Sequence, residues 1–487
     1  MKENNNSPRP SLFLAIVPLA LTLIVLGTQI FYFDDFTPHI PLAIGLGITA
    51  FIGWTQGYRW NDMQVGAFHV VHVALPSLAI IVIIGMLIGT WLASGTVPLL
   101  IYYGLQVINP SYFLAACLIL CSVVSLSLGT SWTTTGTVGL ALVGIGSAFE
   151  IPMYWTAGAV ISGAFFGDKI SPLSDTTNLA PAVTETNLFD HIKNMFPTTV
   201  PAMVISFFIY LIAGFNIETS QGVNLDKVNA FIQGIDTSFE LNPLLLLPVV
   251  VVIILALKKM PAIPSLFVGV LMAGVIAMVT QGASLHDVFT YAHSGFKMDT
   301  GVADLDKLLN RGGIESMTWV LTLVMIALCF GGALERTRCL EVIVDSIMSK
   351  VKSFRGLQTT AILSSITTNV VSGDVYLSIV LPGRMYGPAY DKLGYSRLNL
   401  ARAIEEGGTL VSPLVPWNAG GAFVIAALGL GIVEGNIENL LYIPLAFACW
   451  LSPVIGIIYA QLGLFSPKAE NNSQDQYMHP VTTKTVP

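Results

Sequence analysis

The sequence predicts an all-α polytopic membrane protein: two inverted-topology repeats with re-entrant hairpins and discontinuous helices, about 10 crossings plus 2 hairpins in all. Three observations predict it. Apolar residues dominate the composition, apolar runs of spanning length recur from end to end, and short motifs appear twice in the same order.

Of 487 residues, 54% are hydrophobic and only 10% charged, against about a quarter charged in a soluble domain. Ser11 to Phe33, Leu75 to Ala93, Pro197 to Phe215 and Leu440 to Leu464 reach or approach the ~20 residues that cross a hydrocarbon core. Their spread along the chain predicts one integral membrane domain rather than a soluble domain with an anchor. The first run is too long for a signal-peptide core and lacks a small-residue cleavage site, so it reads as a retained helix. The five cysteines (Cys117, Cys121, Cys329, Cys339, Cys449) fall in or beside apolar segments without CxxC spacing and read as packing residues. A net charge of −7 with no long block of like charge argues against a nucleic-acid partner.

Thr55-Gln56-Gly57 with Asp62 recurs as Thr280-Gln281-Gly282 with Asp287, and Ile40-Pro41 recurs as Ile263-Pro264. Farther on, Gly89 to Gly95 resembles Gly331 to Thr337, the Ser/Thr-rich turn Gly129 to Gly136 resembles Val370 to Leu377, and Ser171-Pro172-Leu173 recurs as Ser412-Pro413-Leu414. The polar stretch around Lys297 to Gly313 reads as an insertion in the second half. The expected division is a cytoplasmic N-terminal tail (1–10), a first transmembrane repeat (11–216), an extracytoplasmic linker (217–241), a second repeat (242–464) and a cytoplasmic C-terminal tail (465–487).

Basic residues orient the spans. With the N-terminus, Arg59, Lys193, Lys258-Lys259, Arg336 to Arg355, Arg384 to Arg402 and the C-terminal tail inside, 17 of 22 basic residues are cytoplasmic, four are outside and Lys169 is within the membrane. The acidic loops at Asp34-Asp35, Glu218 to Glu240, Asp287 to Glu315 and Glu434 to Glu438 then face outward. This solution makes Gln358 to Pro388 a re-entrant hairpin from the cytoplasmic face and Pro110 to Phe149 its counterpart from the other face. Each half has five crossings, an odd number, so the repeat is inverted.

A carboxylate at membrane depth costs ~2.5 to 3.5 kcal/mol on insertion scales and therefore faces a cavity or a partner. Asp168, Asp175, Asp374, Glu405 and Glu406 cannot be moved into loops. Around the first two, Gly and Pro interrupt an apolar helix between Gly163 and Pro181, and a second interruption follows Glu405-Glu406-Gly407-Gly408-Thr409 through Pro416-Trp417-Asn418. Unpaired backbone carbonyls at such depth line a cavity or bind something. With the oxygens of Ser171, Ser174, Thr176, Thr177 and Asn178 they would make a hard-oxygen cage for a small cation. Asp168 and Asp175 would supply its charge. One hairpin tip adds Thr130, Ser131, Thr133, Thr134 and Thr135, and the other adds Asn369, Ser372 and Asp374. Burial favours the protonated form of a carboxylate, and the same oxygens cannot hold H⁺ and Na⁺ together, so competition predicts exchange. Asp168, Asp175, Lys169, Glu405 and Glu406 are the expected proton-coupling residues; Lys169 is either a partner that Na⁺ displaces or a second proton carrier. Trp132, Thr409, Ser412, Trp417 and Asn418 are the expected cavity residues.

Plainer readings stand beside these. Asp168 and Lys169 make a structural ion pair, Glu405 and Glu406 pair with Arg402 at the membrane edge, and the threonine run bonds back to its own helix. His69 and His72 sit on an interfacial amphipathic helix, Tyr58 to Val73, as surface residues. Trp132 and Trp417 are packing residues.

At Gly167-Asp168-Lys169-Ile170-Ser171-Pro172-Leu173-Ser174-Asp175-Thr176-Thr177-Asn178 the sequence closely resembles the NhaC family of Na⁺/H⁺ antiporters. Gly85 to Gly95, Gly129 to Gly136, Glu405 to Thr409 and Pro416-Trp417-Asn418 extend the resemblance over most of the chain. That family is similar to the larger ion transporter superfamily, with its inverted repeats and paired hairpins. The resemblance implies a Na⁺/H⁺ exchanger of the bacterial cytoplasmic membrane with no cofactor, contacts with membrane lipid, Li⁺ as a further cargo and a homodimer as a further state. Relatives that exchange malate and lactate, or that couple amino acids to Na⁺, keep a small organic acid or amino acid open as substrate. No Arg falls in the expected cavity segments, where Lys169 is the only cation, which disfavours the organic acid. An enzyme is disfavoured: Asp168 follows Phe-Phe-Gly rather than the motif of an intramembrane aspartyl protease, and neither HExxH nor GxSxG is present.

Overall fold

A computed structural model of the chain describes residues 9–33, 35–221, 224–349, 351–432 and 435–469. Asp34, Glu434, most of the first tail and the end of the second lie outside the described residues, as do the side chains of 31 and 218–221.

The first half runs α1 (Leu12–Tyr32), α2 (His39–Thr55), α3 (Trp60–Val73), α4 (Leu75–Ala93) and α5 (Thr96–Val107). A hairpin follows. Its arms are α6 (Phe113–Leu128) and the run of α7 (Ser131–Thr134), a π-helical turn Thr135–Gly139 and α8 (Leu140–Ala148). Then come α9 (Met153–Ile170) and α10 (Asp175–Thr184), one helix broken in the middle, and α11 (Leu188–Gln221). The second half runs α12 (Leu225–Ser238), α13 (Leu247–Leu257), α14 (Ala262–Thr280), α15 (Leu285–Ser294), α16 (Ala303–Leu309), α17 (Gly313–Ser316), α18 (Thr318–Arg336) and α19 (Cys339–Met348). A second hairpin, α20 (Phe354–Ser372) and α21 (Val375–Lys392), precedes the second broken helix, α22 (Leu398–Gly407) and α23 (Ala419–Leu428). The chain closes with α24 (Tyr442–Leu445) and α25 (Phe447–Leu462). Among the described residues the only β pairing is a bridge between Tyr395 and Lys468.

Among the described residues six helices are long and apolar enough to cross a membrane, or up to nine if each bent pair is one span. Their outer faces carry exposed Phe13, Ile24, Phe208, Ile212 and Leu271, as the lipid-facing sides of spanning helices do. The charged α9 is not among the six; its partners are protein, which is how Asp168 and Lys169 come to be buried there.

Both hairpins turn by the same device. Gly129 and Gly373 adopt left-handed backbone (φ 69° and 65°) as C-caps, and the next residue, Thr130 or Asp374, caps the returning helix with its side chain. Helix contacts repeat at one spacing. Gly163 lies against the Leu118 carbonyl and Cys121, and Gly407 against the Ile362 carbonyl and Ser365, a spacing of 244 positions in each case (163 to 407, 118 to 362, 121 to 365). Partners are also exchanged between halves: Gly139 meets Val160 of its own half and Leu428 of the other, while Gly383 meets Ile404 of its own half and Val183 of the other. Such an exchange is what a two-fold relation between repeats produces.

This spacing corrects the register read from motif likeness. Gly129 answers to Gly373 rather than to Val370, and Ser171-Pro172-Leu173 does not answer to Ser412-Pro413-Leu414, because Ser412 stands at the place of Asp168 and Asn418 at that of Ser174. Hydroxyl-rich turns look alike at several registers; the left-handed glycine and its following cap fix only one.

Candidate functional site

The first break opens because Pro172 has no amide hydrogen and Ser174 starts a new helix, its Oγ accepting from Thr177 N. The break meets the tip of the first hairpin, where a Cβ on Gly129 would strike the backbone of Leu173. There Asp168, 6% exposed, accepts from the Ser131 amide at 3.0 Å and the Ser131 hydroxyl at 2.6 Å, both through Oδ2. It therefore sits at the N-terminal, positive end of the hairpin's returning arm. Its Oδ1 has no partner, nor have the buried hydroxyls of Thr133 and Thr135 beside the π-helical turn. The other threonines bond back to their helix: Thr134 Oγ1 donates to Thr130 O and Thr137 Oγ1 to Thr133 O.

Several of the freed carbonyls are bonded by side chains. Thr177 Oγ1 donates to the carbonyls of Asp168 (3.1 Å) and Lys169 (2.9 Å), Ser171 Oγ donates to Leu126 O, and Asn178 donates to the carbonyls of Pro172 and Ser174. In the second break Asn369 of the hairpin donates to Gly407 O (3.1 Å) and Gly408 O (2.6 Å). Hydroxyls and amides thus bond to several of the carbonyls freed at both breaks.

Lys169 does not pair with Asp168. Its ammonium lies 3.9 Å from Glu406 and donates to Ser452 Oγ at 3.0 Å, with both charged side chains fully buried. Glu405 accepts from Thr409 at 2.8 Å and faces Thr176. Arg402 is fully buried, and its Nη1 donates to the carbonyls of Asn194 and Phe465 rather than to a carboxylate.

Asp175 is exposed, unlike Asp168, and accepts from Tyr376 OH of the other half's hairpin at 2.5 Å. Tyr376 OH also approaches Ser77 at 3.3 Å. The side chain of Asp175 faces a cavity of about 290 Å³ shared with Thr130, Thr133, Leu173, Ser265 and Lys259. The cavity joins the first hairpin tip to the turn between α13 and α14.

The second half's expected residues form a closed network. Asn418 donates to Asn369 Oδ1, Ser412 donates to Asn418 Oδ1, and Ser372 bonds back to Thr368 O. Asp374 caps α21 by accepting from Leu377 N at 2.7 Å. Trp417 donates to Val370 O, and Trp132 stacks on Phe423 with ring centroids 4.7 Å apart. Neither tryptophan lines the cavity of Asp175. At the matched spacing, Asp168 and Asp175 of the first half correspond to Ser412 and Ala419 of the second, so these two carboxylates have no acidic counterpart. His69 and His72 are exposed on α3.

Two features escaped the sequence. Tyr376 follows Asp374 by two residues, and only the corrected register points it at the other half's break. Arg402, expected in a cytoplasmic loop, is fully buried on α22. Arg311, in the loop between α16 and α17, lines a cavity of about 590 Å³ together with Lys307 and Asn310, and donates to Leu428 O at 3.1 Å. None of Lys169, Trp132, Thr409, Ser412, Trp417 and Asn418 lines that cavity.

Paired hairpins, two broken helices and a buried carboxylate at their meeting point define a secondary active membrane transporter. The sequence specifies it further. The model of the Na⁺/H⁺ antiporter family matches residues 71–177 and 163–464, and the chain belongs to that family. It is 41% identical over 428 residues to the Na⁺/H⁺ antiporter NhaC of Alkalihalophilus pseudofirmus, covering 88% of this chain and 90% of that one. It is 38% identical to the arginine/ornithine antiporter ArcD of Halobacterium salinarum (93% of each chain) and 36% identical to a malate-2H⁺/Na⁺-lactate antiporter of Bacillus subtilis (95% and 97%).

Proposed function

We propose that this chain exchanges Na⁺ for H⁺ across a bacterial cytoplasmic membrane, the two ions taking turns at Asp168 and its neighbours. The observation that carries this reading is one buried carboxylate whose Oδ2 is fixed by Ser131 while Oδ1 and the hydroxyls of Thr133 and Thr135 have no partner. Side-chain oxygens of this kind suit a small hard cation.

The cavity at Asp175 is the inward route, since its far wall is Lys259 and the α13–α14 turn, cytoplasmic by the distribution of basic residues. Na⁺ enters past Asp175 and Thr130, sheds water onto Asp168 and the threonine hydroxyls, and displaces the proton held there. Rocking of the hairpin-bearing halves then exposes the site to the outside. The partnership of Lys169 with Glu406 supports Lys169 as a second proton carrier rather than a plug that Na⁺ displaces from Asp168.

A second reading couples Na⁺ and H⁺ to an organic acid or amino acid, as in the relatives named for malate/lactate and arginine/ornithine. Arg311 and Lys307, in the 590 Å³ cavity, favour it. Everted vesicles carrying a proton gradient discriminate the two. Addition of Na⁺ alone should collapse the gradient; a response only when malate, lactate or an amino acid accompanies Na⁺ would overturn simple exchange.

A further inference from the structure

Resting on the exchange reading above, we infer that residues 465–469, which follow α25, are a latch on the second hairpin and its broken helix, and that the latch opens in each cycle of exchange. The segment lies antiparallel to the loop between α21 and α22. Ser396 N donates to Pro467 O at 3.0 Å, Ala469 N donates to Gly394 O at 3.1 Å, and Tyr395 and Lys468 stand opposite one another between those bonds. Two fully buried side chains at the start of α22 complete the joint. Asn399 Nδ2 donates to Pro467 O at 2.8 Å, and Arg402 Nη1 donates to Phe465 O at 3.0 Å.

The latch sits where one moving body meets its surroundings. The second hairpin and α22 are bonded to each other along their length: Gln358 donates to Asn399 O, Ser365 to Ile404 O, and Asn369 to the carbonyls of Gly407 and Gly408. At its loop end this body reaches the first half. Arg397 pairs with Glu185 at 2.6 Å, and Asn194 of α11 donates to Leu398 O at 2.8 Å. The Arg402 nitrogen that holds Phe465 O also donates to Asn194 O at 3.3 Å. One nitrogen thus ties α22 to the latch and to the other half, on the face that the basic residues mark as cytoplasmic.

Rocking of one half against the other shifts these partners apart, so the bonds that fasten the loop end must break and re-form. The latch is suited to that. Phe465, Lys468 and Ala469 are exposed, and backbone hydrogen bonds open to water are the ones that break at low cost. The buried side of the joint carries spare capacity: Arg402 Nε and Nη2 and Asn399 Oδ1 have no partner in the arrangement described. Buried polar atoms are seldom left so, and three at one joint suit a place that takes up a second arrangement. The arrangement the closed latch holds is the one in which the cavity at Asp175 opens toward Lys259.

The test locks the latch reversibly in the full-length chain. Tyr395 and Lys468 are flanked by backbone bonds rather than joined by them, a pairing that sets Cα atoms about 4.5 Å apart, within the reach of a disulfide. The double variant Tyr395→Cys with Lys468→Cys is reconstituted in liposomes, and Na⁺-driven proton movement is measured after oxidation with diamide and again after reduction. The two single variants control for oxidation of the native cysteines, of which all but Cys329 are buried. We expect oxidation to abolish exchange and reduction to restore it. Equal rates before and after, with the crosslink confirmed by mass spectrometry, would overturn the latch; failure of the crosslink to form would overturn the pairing it rests on. Tyr395 stacks on Phe354 with ring centroids 3.8 Å apart. If losing that stack silences the reduced protein, the next opposed pair, Ser396→Cys with Pro467→Cys, gives the same comparison with the stack kept. An unaltered protein that moves no protons when Na⁺ is added would defeat the exchange reading itself.

Discussion

Replacing Asp168 by Asn separates charge from shape. The amide keeps an oxygen that can accept both Ser131 bonds, now 3.0 and 2.6 Å long to the carboxylate. Turning two charge-assisted bonds into neutral ones costs about 1–3 kcal/mol, and this is offset by no longer burying an ion, so the protein is predicted to remain folded in the membrane. The cation loses far more. At an effective dielectric of about 20, unit charges 4 Å apart attract by about 4 kcal/mol. With about 1.4 kcal/mol per factor of ten, the apparent affinity for Na⁺ should fall about a thousandfold. The assay is Na⁺-dependent collapse of a proton gradient in everted vesicles at matched protein content, with thermal unfolding in detergent as control. Half-saturation at the wild-type Na⁺ concentration would refute the role of Asp168 in binding. Loss of activity together with loss of folded protein would instead make Asp168 a structural cap of the hairpin.

Tyr376→Phe removes the hydroxyl that binds Asp175 across the two halves; a hydrogen bond to a charged group contributes about 1.5–3 kcal/mol. Asp175 is exposed to the cavity, so the lower end applies, and half-saturating Na⁺ should rise about tenfold with the maximal rate preserved. An unchanged half-saturation would detach Asp175 from the ion's path. The Lys169–Glu406 pair is tested by unfolding in detergent: Lys169→Met or Glu406→Met alone should each cost about 3–5 kcal/mol, and the double variant Lys169→Met with Glu406→Met much less than their sum. Additive losses in the double variant would mean that the two groups, 3.9 Å apart, do not act as a pair.

The architecture was legible in the sequence because its signals are local. Apolar length predicts the spans, and Leu75–Ala93 appears as expected. Interruptions by Pro172 and by Gly408 with Pro413 mark where helices stop, and the acids there are too costly in lipid to stand without partners. What stayed hidden depends on tertiary geometry. Motif likeness gave a register three positions short of the spacing that relates Gly129 to Gly373, because the halves differ in which turn is hydroxyl-rich. The fate of the freed carbonyls was likewise unreadable, since Thr177 and Asn369 reach them only in the folded chain. Arg402 looked like one more inward-biased charge; its complete burial follows from the packing of α22 against α11, which the distribution of basic residues does not encode.

Exchange by shared occupancy makes one direct demand on solution behaviour. The concentration of Na⁺ that half-saturates exchange should climb as the bath is acidified, approaching about tenfold per pH unit on the acid limb if one proton leaves for each ion bound, while the rate at saturating Na⁺ holds. A half-saturating concentration that stays level across that limb, with only the maximal rate responding to acid, would contradict competition for the same oxygens.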